Sequence, residues 1–243
     1  AAQIGLHVLI GANTIIEQGL TIGDNVVIGN NVIIKKDVVI GECTIIKDNV
    51  TIDKSSLLGV ENIIGNNVKI KKVCVLGDYV QIKDSVVLDD SIKLGSYVLI
   101  DMSTQLKKSV AIADGSIIGS NNIFEKDVKT GSNVVTGSNV LLKSGVKVGD
   151  RSYLGNNVVV NNNSVIGSDA VINDNLVIGS NAIICDGKTV SSNLANNGKI
   201  GSCTTPSLPS FPFQVAYNCA FATSRAKIAD NFFNGFTTEN ADT

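Results

Sequence analysis

The sequence is poor in several residue types that enzymes and membrane proteins commonly use. Its 243 residues include one histidine (His7), one methionine and no tryptophan, and its three prolines all follow residue 205. No apolar run reaches the roughly 18 residues that a membrane-spanning helix needs. Lys and Arg number 20 against 22 Asp and Glu, so the positive excess required for general nucleic-acid binding is missing. These absences predict neither a membrane span nor a nucleic-acid partner.

The chain is rich instead in a repeat of six residues. From Ile4 to Val190, thirty of the thirty-two positions spaced by six are large and apolar, with Thr130 and Thr136 as the exceptions. A second row four residues later is smaller, as in Val8 and Thr14. An α-helix turns every 3.6 residues and cannot keep a period of six on one side, whereas short strands joined by tight turns can. Both rows are therefore predicted to point into a common core.

This pattern resembles that of the hexapeptide-repeat superfamily, over residues 3 to 190 and without an insertion. The resemblance implies an all-β fold, a left-handed parallel β-helix with three hexapeptides in each triangular coil. About ten coils of 18 residues give a prism about 50 Å long at the spacing of paired strands. We expect residues 1–190 to form the β-helix. Residues 191–243 are expected to form a linker followed by a C-terminal capping or assembly segment, extended at first and then an amphipathic helix from about Gln214 to Asn234.

The three corners of such a coil carry different residues. The first holds a glycine row that includes Gly5, Gly23 and Gly41, which we interpret as relief for a strained turn. The third alternates in charge, as in Lys71 and Asp89, which predicts a solvated edge, with a polyanion site as the less favoured alternative. The second corner holds a predicted stacking ladder of asparagines, which tolerate left-handed backbone angles: Asn13, Asn31, Asn49, Asn67, Asn121, Asn139, Asn157 and Asn175.

Two outward faces are unusually apolar. Strips of this length reach the upper end of what a soluble monomer exposes, so we predict that they are covered by other subunits or by the chain's own tail. The predicted assembly face comprises Leu9, Val27, Ile45, Ile63, Leu99, Ile117, Val135, Tyr153 and Val171 on one wall, and Ile15, Ile33, Val87, Ile123, Leu141, Val159 and Val177 on the next. The phenylalanines predicted to dock the tail are Phe211, Phe213, Phe232, Phe233 and Phe236.

Three of the five cysteines, Cys185, Cys203 and Cys219, lie around the junction with the tail. A Cys203–Cys219 disulfide is the favoured pairing, and one that uses Cys185 is the next. The chain begins Ala-Ala-Gln, which would fit a cleaved secretory signal and an oxidising exterior. We therefore expect an extracellular or cell-surface location, with the cytoplasm as the alternative.

The superfamily resemblance implies two enzyme classes that must be weighed. Its acyltransferases typically use a histidine as general base, and its carbonic anhydrases hold zinc with three histidines, whereas this chain has His7 alone. The sequence therefore predicts a non-enzymatic structural protein without cofactor or metal, whose partner is itself and which assembles into an extracellular filament or surface layer. A trimeric acyltransferase is the alternative. An ice-binding protein is a further one, although outward threonines such as Thr21, Thr51 and Thr189 are scattered.

Overall fold

The computed structural model describes residues 2–203 as a single parallel β-solenoid. Thirty-three strands of two residues each make up its regular structure, and no helix occurs within residues 2–203. Each strand holds one outward and one inward residue, because side chains alternate along a strand, and the inward residue is a large aliphatic one everywhere except at Phe124, Thr130 and Thr136. The intervening four residues turn the chain by one corner. The handedness of the coil stays a prediction.

The first eleven strands are β1 (Gln3–Ile4), β2 (Leu9–Ile10), β3 (Ile15–Ile16), β4 (Thr21–Ile22), β5 (Val27–Ile28), β6 (Ile33–Ile34), β7 (Val39–Ile40), β8 (Ile45–Ile46), β9 (Thr51–Ile52), β10 (Leu57–Leu58) and β11 (Ile63–Ile64). The next eleven are β12 (Lys69–Ile70), β13 (Val75–Leu76), β14 (Gln81–Ile82), β15 (Val87–Leu88), β16 (Lys93–Leu94), β17 (Leu99–Ile100), β18 (Gln105–Leu106), β19 (Ala111–Ile112), β20 (Ile117–Ile118), β21 (Ile123–Phe124) and β22 (Lys129–Thr130). The last are β23 (Val135–Thr136), β24 (Leu141–Leu142), β25 (Lys147–Val148), β26 (Tyr153–Leu154), β27 (Val159–Val160), β28 (Val165–Ile166), β29 (Val171–Ile172), β30 (Val177–Ile178), β31 (Ile183–Ile184), β32 (Thr189–Val190) and β33 (Lys199–Ile200).

Every third strand joins the same sheet, which gives three walls of parallel strands. Wall A contains twelve strands from β1 to β33, wall B eleven from β2 to β32, and wall C ten from β3 to β30. Through β32, the paired residues occupy equivalent positions on successive coils, as with Leu9 opposite Val27 and Val171 opposite Thr189. We call the turn from wall A to wall B the first corner, the turn from B to C the second, and the turn from C to A the third.

The core is a column formed by the two inward rows. Phe124 is its largest fully buried side chain, and the aliphatic residues above and below it are almost wholly shielded from solvent. Polar residues in the second inward row find partners in the backbone of the adjacent coil. Asn62 donates to the carbonyl oxygens of Gly59 and Gly77 and accepts from the amide of Val80 at 2.6 Å. The repeat therefore admits buried asparagine without an unpaired amide.

The corners turn on one left-handed residue each. Positive φ recurs every six residues, and at the second corner it falls on the predicted asparagine ladder, with φ of 57° at both Asn121 and Asn157. Ladder amides also bond from coil to coil: the Nδ2 to Oδ1 distances are 3.1 Å from Asn139 to Asn157 and 2.9 Å from Asn157 to Asn175. Asparagine suits this position because it adopts positive φ more readily than most residues, and because its amide both donates and accepts hydrogen bonds along the ladder.

The glycine row of the first corner has a different cause from the predicted one. Gly5, Gly23 and Gly41 are not among the residues with positive φ. A Cβ at Gly23 would lie 2.7 Å from the amide nitrogen of Glu42, and one at Gly41 would strike the carbonyl group of Gly59. These glycines are required because the backbone of the next coil passes too close for a side chain.

The coil continues past residue 190, where the sequence predicted a linker. β33 pairs in parallel with β31, and an isolated bridge joins Ile178 to Leu194. Lys199 lies opposite Ile183, where a coil of regular length would place Gly201, so this last coil is shorter than the others. Asn193 accepts from the amide of Val177 at 2.8 Å and so replaces a strand contact with a side-chain bond. The predicted extended segment and helix lie outside the described residues.

Cys203 is bonded to Cys185, with the two Cα atoms 5.8 Å apart, and not to Cys219 as the favoured pairing had it. Because the last coil is two residues short, Gly201 lies opposite Cys185 and Cys203 follows two residues later, so the bridge joins the end of the last coil to the coil before it. Cys219 lies outside the described residues. Burial raises the pKa of the free Cys74 thiol to about 12, which makes it an inert core group.

No helix that is long and apolar enough to cross a membrane occurs in residues 2–203.

Candidate functional site

The two apolar walls lie on the outside of the prism. Leu9 and Ile15 are 64% and 56% exposed at one end, and Tyr153 and Val177 are 42% and 44% exposed towards the other. Intermediate coils show part of each side chain, while Leu99 is buried. The predicted assembly residues thus line walls B and C, where Gln81 interrupts the row on wall B and Thr51, Lys69 and Gln105 interrupt the row on wall C. Whether another subunit covers them stays a prediction, and the tail phenylalanines Phe211, Phe213, Phe232, Phe233 and Phe236 lie outside the described residues.

His7 occupies the left-handed position of the first corner in the first described coil, with φ of 55°, and its side chain is exposed. Its ring makes no hydrogen bond to any residue in the range 2–203, which leaves the imidazole accessible to a ligand. The amide of the preceding residue, Leu6, is held by Asp24 Oδ1 at 2.7 Å, and the Leu6 carbonyl accepts from the Asn25 amide at 2.8 Å. The backbone below the imidazole is therefore fixed by the next coil.

Asp101, at the second corner, is a titratable group that sequence reasoning missed. Burial raises the pKa of its carboxyl, against the lowering effects of the Met102 amide, 2.7 Å from Oδ1, and of the Lys83 ammonium. A carboxylate with a raised pKa is a better proton acceptor than an ordinary surface aspartate. No sequence signal marks it, because its burial comes from the packing of coils and not from its own hexapeptide.

Tyr79 and Tyr97 form a stacked pair on the first corner, with ring centroids 4.8 Å apart and planes 10° from parallel. Both have positive φ, which is unusual for aromatic residues. The stack follows from the repeat, because the two tyrosines occupy equivalent corner positions on successive coils. Contact between the rings offsets part of the backbone strain.

The third corner has ion pairs between adjacent coils in the first five coils. The Nζ of Lys35 lies 3.4 Å from an Asp53 oxygen, and that of Lys71 lies 2.6 Å from an Asp89 oxygen. The Asp89 carboxylate, through a side-chain hydrogen bond, raises the pKa of Lys71. The predicted alternation thus produces ion pairs across coils, as expected for a solvated edge. No group of three or more His, Cys, Asp and Glu suited to a metal ion was found in the described part of the chain.

Two family models match parts of the chain. Residues 4–97 match the GMPPB C-terminal domain, and residues 127–162 match the bacterial transferase hexapeptide, a model of six repeats. The chain belongs to the hexapeptide-repeat superfamily. Membership of this superfamily explains the three walls and the regular coil. The match to the bacterial transferase hexapeptide covers two coils in the second half of the prism.

Similar solved structures share the fold at low identity. LpxA from Acinetobacter baumannii is 20% identical with a TM-score of 0.46, over 70% of this chain and 68% of that one. PerB from Caulobacter crescentus, solved with CoA and GDP-perosamine, is 24% identical with a TM-score of 0.33, over 51% of this chain and 53% of its own. The UDP-N-acetylglucosamine acyltransferase of Francisella novicida is 20% identical with a TM-score of 0.29, over 76% and 65%. No curated protein matches the chain. Similarity at this level transfers no activity.

The prediction of a non-enzymatic structural protein that forms an extracellular filament or surface layer is wrong. The family match over residues 127–162 is to a repeat of bacterial transferases. That prediction rested on the shortage of histidines and on apolar walls. One exposed imidazole is enough for general-base chemistry, and apolar walls are equally suited to contacts between the subunits of a compact oligomer. The cellular location stays a prediction.

Proposed function

We propose that this protein is an acyltransferase that moves an acyl group from a thioester donor to a hydroxyl or amino group of a small acceptor. The observation that carries the proposal is the match of residues 127–162 to the bacterial transferase repeat. The CoA and nucleotide-linked sugar bound by PerB suggest the donor and acceptor classes to try first. The activity test below identifies which acceptor the protein uses.

The reaction needs one proton acceptor and one positioned acyl group. The acceptor oxygen or nitrogen attacks the thioester carbon, its proton leaves, the new carbon–oxygen or carbon–nitrogen bond forms, and the carbon–sulfur bond breaks. The departing sulfur takes up a proton, so the enzyme returns to its starting state. A positioned base contributes about 10²- to 10⁴-fold to such a transfer.

His7 and Asp101 are the two described side chains suited to take that proton. His7 presents an exposed imidazole on a backbone held by Asp24 and Asn25. Asp101 presents a carboxyl whose raised pKa increases its basicity. The two lie on different corners and on coils far apart in the prism, so only one of them serves a given site in one subunit.

Self-association follows from the same walls. Strips such as the one from Leu9 to Val171 on wall B are at the upper end of what a monomer usually leaves in contact with water. We infer that walls B and C are buried in a closed homo-oligomer, where a cleft between subunits would hold the acceptor. Sedimentation velocity of the full chain tests this inference, and a monomer at micromolar concentration contradicts it.

The activity test measures thiol release from acyl-CoA donors of several chain lengths in the presence of nucleotide-linked amino and hydroxy sugars. Turnover that depends on the acceptor is expected, and the acylated product is identified by mass. Replacement of the proton acceptor, H7N or D101N, should lower kcat by at least about tenfold with little change in KM. Asparagine at position 7 keeps the left-handed backbone, which other asparagines hold in this chain.

Matched variants separate chemistry from folding. R151N places asparagine at the equivalent left-handed position of the first corner, eight coils from His7, and D174N removes an exposed second-corner carboxylate whose Oδ1 accepts from the Asn156 amide at 2.7 Å. Both should retain turnover. Absence of acyl transfer with every donor and acceptor pair, together with no thermal stabilisation of the protein by CoA, overturns the proposal.

A further inference from the structure

The positive charge of the third corner and wall A is concentrated in one part of the prism. Over residues 17–90 this side has five lysines and five carboxylates, so it is balanced. Over residues 91–148 it carries two carboxylates, Glu125 and Asp127, against seven lysines, which we call the lysine patch: Lys93, Lys107, Lys108, Lys126, Lys129, Lys143 and Lys147. The alternation that neutralises the first half therefore fails in the second.

Like charges meet directly within the lysine patch. Lys129 and Lys147 occupy paired register positions on wall A, about 4.8 Å apart in the direction of the strand hydrogen bonds. Like charges directly opposite each other in a sheet destabilise it. Among residues 2–203, no carboxylate lies within ion-pair distance of either ammonium group. The repulsion between Lys129 and Lys147 is therefore not relieved by a carboxylate of the described residues. An unneutralised pair of this kind is expected on a surface that binds an external anion.

The two carboxylates near the patch do not neutralise it. Glu125 Oε2 accepts from the backbone amide and the hydroxyl of Ser144, both at 3.0 Å, so this carboxylate is hydrogen-bonded to the turn of the next coil. Asp127 lies 3.7 Å from Lys126 in a pair that is more than half exposed on both sides, and such pairs contribute little. Lys107 donates to Gln105 Oε1 at 2.8 Å, and this partner is a neutral amide. Most of the excess charge is thus available to a ligand.

The shape of the patch selects the class of ligand. On wall A the patch runs from β16 to β25, about 14 Å along the axis, with lysines on β16, β22 and β25, and it continues onto the edge where walls C and A meet. Small molecules are usually held in concave sites with converging polar groups. A linear polymer can instead lie along an edge and make several weak contacts at once. The patch has no arginine for bidentate phosphate binding, and wall A has no outward aromatic residue on which a base could stack.

We propose that the lysine patch binds a linear anionic polysaccharide that lies along the third corner. The lysines recognise its carboxylates or sulfates as point charges, and binding releases counterions, so affinity falls as salt rises. This surface is separate from both His7 and Asp101. The proposal does not depend on the acyl-transfer reaction.

The test measures binding of a fluorescent octamer of galacturonic acid to the full chain by anisotropy at 50 and 200 mM NaCl. Binding that weakens with salt is expected, and a neutral glucose octamer should not bind. The double variant K129Q/K147Q should weaken binding by about tenfold and flatten the salt dependence by about two charges. The control K36Q/K54Q removes the same charge from exposed lysines of the balanced half and should change affinity less than about twofold.

Four results overturn the proposal. They are no binding of the anionic octamer, equal loss in the two double variants, tighter binding of inorganic triphosphate than of the octamer, and equal or tighter binding of single-stranded DNA with the same lysine dependence. Unchanged circular dichroism and melting temperature of both double variants show that the prism is intact. Acyl-transfer turnover of K129Q/K147Q should equal that of the unmodified protein, which keeps the two proposals distinguishable.

Discussion

At the scale of single residues, the left-handed corner position decides what each site tolerates. Val73 holds φ of 59° with its side chain 52% exposed, whereas the same kind of position is asparagine in much of the chain. A β-branched side chain in this region crowds the backbone, at a cost of about 1–2 kcal/mol. The asparagine ladder could be predicted from sequence because this preference is local. The raised pKa of Asp101 could not, because its cause lies in residues that are distant in sequence.

Replacing Val73 by asparagine should therefore raise the free energy of unfolding by about 1 kcal/mol. Urea unfolding followed by circular dichroism measures the change. V39N, on an exposed strand position of wall A, is the matched control and should be neutral or destabilising, since asparagine is a poor strand former. Equal effects of the two variants would contradict the strain argument.

At the scale of strands and turns, stability depends on contacts between adjacent coils. The period of six predicts the walls, the inward rows and the strand positions correctly, since each hexapeptide specifies its own strand and corner. It does not reveal why the first corner needs glycine, since the close approach involves the backbone of the next coil, which is distant in sequence. Nor does it reveal the last coil, where Asn193 and Asn196 replace regular hexapeptide positions and bond the amides of Val177 and Ser180.

The glycine argument predicts a large effect for Gly95→Ala. The added Cβ would meet the Asp114 side chain and would lie 2.6 Å from the Asp114 amide nitrogen. Separating two coils to make room should cost about 2–3 kcal/mol in unfolding free energy. Gly187 has φ of 66° and nothing within 4 Å of a built Cβ, so G187N should lose well under about 1 kcal/mol. A mild effect of G95A in thermal and urea unfolding would show that the coils can separate freely.

At the scale of the whole molecule, the solenoid is one-dimensional, because each coil contacts only its neighbours. The family and the solenoid could be inferred from sequence. The proposed acyl-transfer activity could not, since a lone histidine and apolar walls are compatible with more than one use of the same prism. The lysine patch was visible in the residues, but its charge excess becomes apparent only when third-corner and wall A lysines are placed on the same side.

One-dimensional coupling predicts a local response to loss of the Cys185–Cys203 bridge. In C185S/C203S, amides of residues 191–203 should exchange faster with deuterium, while those of the central coils keep their protection. The single variant C203S should behave in the same way. Accelerated exchange throughout the prism would mean that the last coil controls the stability of the rest.

Because the register between coils is constant, the number of residues between two positions sets both their distance along the prism axis and the wall on which each lies. Inserting one whole coil between His7 and Lys129 would move these two side chains about 4.8 Å farther apart and leave their relative bearing unchanged. Inserting a single hexapeptide would carry everything downstream from one wall to the next. Evolution can therefore adjust the distance between two sites on this scaffold in fixed steps, without redesigning either of them.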